Sequence, residues 1–277
     1  MNGAWVTAHL MEHYRYAGDR EFLREQAWPA IRANAQFVLS WLHRDEQTGK
    51  WITGPGTSPE NAFFFEENGE KVEVSISCGT THDQMLAWES LADLVEAAEA
   101  LGLEDDLIAR ARQVLPDLAE GQIGPDGRLQ EWREPYEEIE AGHRHVSHAY
   151  GFFPGRQYNL IEDPQVAGAI QKSLDFRLKN GGGHTGWSRA WLINIEAVLM
   201  RPEAAYDNLR TLLSKLITAI RKAAERNSQV TPSGPKAAAR SALGVGRQPR
   251  HRAGGLCGPP PRTCARRTTS RSWYRSL

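Results

Sequence analysis

Apolar residues recur at helical spacing through Trp5, Ala8, Leu10, Met11 and Tyr14. After Gly18-Asp19 the rhythm restarts through Phe22, Leu23, Trp28, Ile31, Phe37, Val38, Trp41 and Leu42. This predicts a helix pair. From Asp45 to Glu70 the rhythm lapses, and Gly49, Gly54, Pro55, Gly56, Pro59 and Gly69 interrupt the chain. The stretch therefore reads as a long loop, with a short hairpin around Lys71–Ser77. Loops of that length inside a domain are usually functional or disordered. Helical periodicity resumes over Thr81–Leu101, Glu104–Leu118, Pro164–Lys179, Trp187–Met200 and Pro202–Ile220, with breaks at Gly102, Gly121–Gly127 and Gly181–Gly183. No βαβ alternation and no fixed-period repeat occurs. The expected class is all-α: a bundle, or an α/α toroid in which helix pairs form concentric rings.

The chain of 277 residues is 40% apolar and holds nine Trp, enough for a sizeable core. No run of eighteen apolar residues occurs, and the N-terminus lacks the basic-then-apolar pattern of a signal peptide. Neither a membrane span nor export is read from it, and the compartment stays open. Cys78, Cys257 and Cys264 are odd in number and widely spaced, which argues against a disulfide framework and against zinc spacing. The net charge of -1 conceals an asymmetry: residues 1–220 carry 20 Lys+Arg against 33 Asp+Glu, whereas residues 221–277 carry 13 against one. From about Ala223 the sequence turns to Arg, Pro, Gly, Ala, Ser and Thr, including Gly258-Pro259-Pro260-Pro261. Such composition predicts a disordered basic tail over 223–277, after a helical domain over 1–222. The competing reading of that tail is an arm for nucleic acid or anionic surfaces; no nucleic-acid partner is expected.

Candidate chemistry concentrates in His143-Arg144-His145-Val146-Ser147-His148, with Glu131-Trp132 before it and Gly186-Trp187-Ser188-Arg189-Ala190-Trp191 after it. The chain has no phosphate loop or dinucleotide fingerprint. Indole faces stack on the apolar face of a pyranose, while Arg, His and Glu hydrogen-bond its hydroxyls, so the set suits a sugar. The residues alone also allow a structural histidine cluster, and Trp187 and Trp191, at i and i+4, form one face of a helix whether or not a ligand touches them. A metal site has only weak support from the spacing. In Ser58-Pro59-Glu60-Asn61 the proline stiffens the backbone before Glu60. The Phe63-Phe64-Phe65 run that follows would wall the carboxyl, raise its pKa and suit a general acid. The alternative is a solvated loop carboxylate. Asp83 lies near a helix start, where capping explains it as well as function does.

Together, Gly3-Ala4-Trp5 with His9-Leu10 and Glu12-His13-Tyr14, Ser58-Pro59-Glu60-Asn61, Asp83-Gln84, Leu129-Gln130-Glu131-Trp132, His143–His148 through Pro154-Gly155, and Gly186-Trp187-Ser188 with Ala190-Trp191 resemble, in the same order, glycoside hydrolase family 95. That is a family of inverting α-L-fucosidases with some α-L-galactosidases. The resemblance covers roughly residues 3–215. It implies an incomplete six-pair α/α toroid of the six-hairpin glycosidase type, part of a longer enzyme acting on fucosylated oligosaccharides without cofactor or metal. Glu60 then resembles the general acid, and Arg144 and His145 the hexose-hydroxyl ligands. Asn61, Glu131, Trp132, His148 and Trp187 complete the expected sugar-binding set.

The family's hydrolytic base is an Asp in a Gln-Ile-Asp-Gly-Asn stretch, assisted by an Asn-x-Asn pair; neither is present here. The expectation is a truncated gene product with a frame-shifted tail, inactive by itself. Its helices are too few to close a six-pair toroid, which would leave apolar faces such as that of Trp187–Met200 partly uncovered. An inert or sugar-binding remnant and, less favoured, a His-rich metal-binding protein are the alternatives.

Overall fold

The computed structural model describes residues 2–229. It is mostly helical: α1 (Asn2–Ala17), α2 (Arg20–Phe22), α3 (Trp28–Trp41), α4 (Thr81–Leu101), α5 (Asp106–Val114), α6 (Pro164–Lys179), α7 (Gly186–Val198) and α8 (Pro202–Gln229). The class is nevertheless not purely α. Strands β1 (Leu42–Arg44) and β2 (Trp51–Thr53) form an antiparallel ribbon, and β3 (Phe63–Glu67), β4 (Glu70–Val74) and β5 (Glu137–Glu138) form a small sheet in the order β4-β3-β5. The supposed long loop over 45–70 thus contains β2 and β3. The hairpin lies earlier than Lys71–Ser77, with Phe63 opposite Val74 and Glu67 opposite Glu70. Its turn is Asn68-Gly69, both at positive φ, 53° and 82°. Those angles match the twist of the flanking strands in a two-residue turn, and Asn-Gly adopts them at little cost.

Local chemistry sets the helix ends. Thr80 accepts the Asp83 amide at the start of α4, and Gly102, left-handed at φ 69°, closes it. Asp105 caps α5 through the Ile108 amide, and Pro116 accompanies a tightening to a 3-10 turn over Leu115–Asp117, short of the expected end at Leu118. Before Pro29, which has no amide hydrogen to donate, the backbone widens into a π turn over Leu23–Ala27. The last helix runs past the expected domain boundary at 222, since Ala223, Ala224, Glu225 and Arg226 all favour helix. The rest of the expected tail, 230–277, lies outside the described residues.

Helix α4 belongs to two cores, so it is buried on almost every side. Its C-terminal half, through Leu91, Leu94 and Leu101, packs with Met11 of α1, Ile31 and Val38 of α3, and Ile108 of α5. Its N-terminal half, through Met85 and Leu86, packs with Tyr150, Ile170 and Leu174 of α6, and Trp191 and Ile195 of α7. The far side of the second core is less covered: Trp187 and Val198 of α7 are 55% and 41% exposed, and on α8 Tyr206, Leu209, Leu213 and Ile217 form an exposed apolar stripe.

Leu94 has no exposed surface. Leu94→Ala should therefore lower unfolding free energy by about 2–5 kcal/mol, read from urea denaturation. A loss under about 1 kcal/mol would contradict the placement of α4 between the two cores.

Candidate active site

The segment carrying Glu60 leaves β2 and is tied down on both sides of that residue. Gly56 and Ser77 exchange backbone hydrogen bonds of 2.8 and 2.9 Å. The Ser58 hydroxyl donates to Glu131 Oε1 at 2.6 Å, and the Asn61 amide donates to Glu131 Oε2 at 3.5 Å and to Glu138 at 3.2 Å. Ser147 donates to the Pro59 carbonyl. Glu131 is itself held by Arg177 of α6, whose Nη2 lies 2.5 Å from Oε2. The same guanidinium reaches Glu138 and the carbonyls of Glu140 and Ala141. Both Glu131 and Arg177 are buried, and burial raises the Glu131 pKa while Arg177 opposes the rise. The pair forms the floor beneath the Glu60 loop.

Above that floor Glu60 forms an ion pair with Arg144; the two side chains are 57% and 37% exposed. The apolar wall expected from the Phe run is not what Glu60 meets. Phe63 stacks instead on Tyr136 at 4.2 Å and tilts against Trp132 at 5.0 Å. Period-2 alternation along β3 turns successive Phe side chains to opposite faces, so they cannot line one wall. The Arg144 backbone is fixed by Ser188, whose hydroxyl donates to its carbonyl. Next to it, burial lowers the His145 pKa and the Glu60 charge partly restores it. The His145 ring sits edge-on to Trp187, 4.9 Å between centroids. From Trp187 the aromatic contacts continue to Trp191 at 5.1 Å, Trp5 at 5.4 Å and, from Trp5, to His82 at 5.9 Å.

The nominated residues therefore divide. Glu60, Arg144, His145 and Trp187 assemble into one accessible cluster, although 127 positions separate the first from the last in sequence. Asn61, Glu131 and His148 lie in the buried layer below. His148 Nδ1 is 3.9 Å from Glu131 Oε2, and burial keeps this imidazole well below its usual pKa. Trp132 is buried against Phe63, with a smaller cavity of about 110 Å³ lined by Trp132, Tyr136, His148 and Arg177. Among the described residues no three His, Cys, Asp or Glu side chains are gathered to hold a metal ion.

Beside the Glu60 segment lies a larger cavity that the sequence did not reveal. Its volume is about 610 Å³, and it is lined by Trp41, Gly56, Thr57, Pro59, Ile76, His82 and Asp83. Asp83 and His82 are almost completely buried. Burial pushes the Asp83 pKa up to about 6 and the His82 pKa down to about 3. Gly56 packs closely here: a Cβ at that position would lie 2.3 Å from the Asp83 carboxylate and would force it to shift. The Thr80-x-x-Asp83 spacing was visible as a helix start, but only the fold shows that the carboxylate faces a cavity. Elsewhere on α4, Arg15 and Arg156 bind Asp93 and Glu96, and Arg156 also binds Glu89. There burial and Asp93 push the Glu89 pKa up to about 7.

The sequence pattern of the glycosyl hydrolase family 95 catalytic domain matches residues 1–234. Alpha-L-fucosidase 2 of Arabidopsis thaliana is 37% identical over 207 residues, covering 74% of this chain and 24% of that protein. Probable alpha-fucosidase A of Aspergillus niger is 29% identical over 216 residues, covering 74% and 26%. Its counterpart from Aspergillus oryzae is 28% identical over 212 residues, covering 70% and 28%. The chain thus spans about a quarter of the length of these relatives.

Arg177→Met should destabilise by about 3–5 kcal/mol, because it strands a buried carboxylate. Adding Glu131→Gln should restore much of the loss in a double-mutant cycle; additive losses would show that the two do not interact. The raised pKa of Asp83 means that the folded state holds its proton more tightly than the unfolded chain. Its contribution to stability falls as pH rises from 3.8 through about 6. Asp83→Asn should therefore gain melting temperature relative to wild type across that window and keep the gain above it. A difference independent of pH would refute the buried-carboxylate assignment.

Proposed function

Because the chain belongs to glycosyl hydrolase family 95, we propose that it carries the acid side of a centre that hydrolyses α-L-fucosides with inversion. The supporting observation is the Glu60–Arg144 ion pair, which joins two motifs 84 residues apart next to His145 and Trp187. A fucoside entering between them gives each a new partner. Arg144 and His145 donate to ring hydroxyls, the exposed Trp187 face covers the apolar side of the sugar, and Glu60 turns to the glycosidic oxygen to deliver a proton. Inversion further requires a carboxylate on the opposite face of the sugar, about 6.5–9.5 Å from the acid, to activate water. In this reading that base comes from sequence beyond the chain, and α1 to α8 are hairpins of an incomplete six-pair toroid followed by a tail read in a shifted frame. Translation of the locus in all three frames tests the last point: no Gln-Ile-Asp-Gly-Asn in any frame rejects it.

The second reading is a sugar-binding remnant without catalysis, favoured by the exposed Trp187 ring beside His145, which can hold a sugar without any hydrolytic base. The two separate on assay. The remnant reading holds if the chain binds L-fucose yet neither it nor the enzyme restored from the complete gene releases fucose.

In the restored enzyme, Glu60→Gln should reduce hydrolysis of fucosides with poor leaving groups by about 10² to 10⁴, and of fucosyl fluoride far less. Equal losses on both substrates would remove Glu60 from the acid role. Arg144→Ala should weaken L-fucose as a ligand by about 1–3 kcal/mol, measured by calorimetry, and unchanged affinity would return this cluster to a structural role.

A further inference from the structure

Helix α8 faces the rest of the fold with the side that carries Asn208. That residue is buried and accepts from Arg189 of α7 at 2.5 Å, while Arg201, just before the helix, binds Asp175 of α6 at 2.9 Å. Asn208 lies about 200° around the helix from Tyr206, so Tyr206 looks away from the fold. Leu209, Leu213 and Ile217 follow Tyr206 at spacings of three and four residues and share its side. The four are exposed by 61%, 39%, 47% and 49% in that order, along about 17 Å of helix. A contiguous apolar stripe rimmed by charged residues marks an interaction surface.

The charges along the rim select the partner. Glu203 and Asp207 stand on one flank of the stripe at its N-terminal end, and Arg221 stands on the same flank past its C-terminal end; all three are exposed. We propose that α8 pairs antiparallel with α8 of a second copy of this chain, about a two-fold axis passing near Leu212. Such an axis sets the same flank of each helix against its copy with the direction reversed. Glu203 of each copy then meets Arg221 of the other, Arg210 meets Ser214 rather than another cation, and Leu209, Leu213 and Ile217 interleave across the axis. Because acid and base stand in reversed order along one flank, the surface is complementary to itself. A parallel pair would instead set this flank against the side of Ala205 and Leu212, and would form none of these ion pairs. Exposed ion pairs are individually weak, so the stripe supplies the association and the charges supply its direction.

The test is the mass of the 277-residue protein in solution, measured by sedimentation equilibrium over a range of concentrations. The wild type should reach twice the mass of one chain by about 100 µM. Leu213→Glu places a carboxylate from each copy close to the axis and should weaken the dimer at least about thirtyfold, while thermal melts show an unchanged fold because Leu213 is half exposed. Glu203→Lys sets a second cation against Arg221 and should weaken the dimer about three- to tenfold; adding Arg221→Glu should restore it. A wild type that stays monomeric at about 200 µM, whether its stripe is bare or covered by its own chain, overturns the proposal. So does a dimer that Leu213→Glu leaves intact, or a charge reversal that the second substitution fails to rescue.

Discussion

The buried ion pair between Glu131 and Arg177 is the constraint on which the site depends. A guanidinium removed from water must place its five donors on acceptors, and Arg177 does so on Glu131, Glu138 and two backbone carbonyls. Each of those partners belongs to a segment without regular structure of its own beyond the short β5. The ion pair therefore orders the chain from Glu131 to Ala141 against α6. Through Ser58 and Asn61 it extends the same order to the loop that presents Glu60. Replacing such a pair by apolar residues is often neutral for stability, so specification of loop geometry is the more natural reason for its presence.

The layers above and below that pair differ in chemistry because they differ in access to water. Below it, His148 and Glu131 have pKa values displaced toward their neutral forms, as burial requires. Above it, Glu60 and Arg144 are partly exposed and exchange partners at little cost. The cavity of Asp83 and His82 is intermediate, with ionisable groups buried in the wall of a space that a ligand can enter. Such groups reduce the stability of the unliganded fold, a cost commonly met at functional sites.

Helix α4 connects this chemistry to the scaffold. Its C-terminal half is anchored in the first core by Leu91, Leu94 and Leu101, and its first turn bears His82 and Asp83. The side chains of the cavity are thus mounted on the most buried helix in the described residues, whereas Glu60 sits on a loop that needs its own tether. The groups in the cavity wall are thus held by the helix itself, whereas the position of Glu60 depends on the hydrogen bonds of its loop.

Periodicity alone identified α4 and α6 to their terminal residues, because Thr80 and Gly102 bracket one and Pro164 opens the other. It also located α1, α3, α5, α7 and α8. The small strands were less legible: β1, β2 and β5 are two or three residues long, too short for a period, although Asn68-Gly69 did mark the β3–β4 turn. Ordered motifs brought Glu60, Arg144, His145 and Trp187 into one set by resemblance, and the fold places them within reach of one another. What only tertiary structure decided is the direction of each side chain. Glu131 and Trp132 adjoin in sequence, yet one meets Arg177 and the other Phe63; Asp83 sits in the first turn of α4, as its position in the sequence suggests, and also lines a cavity beside Gly56. A sequence encodes local backbone preference through nearest neighbours. Burial, charge pairing and access to a cavity arise from residues dozens of positions away, whose distances are set only when the helices pack.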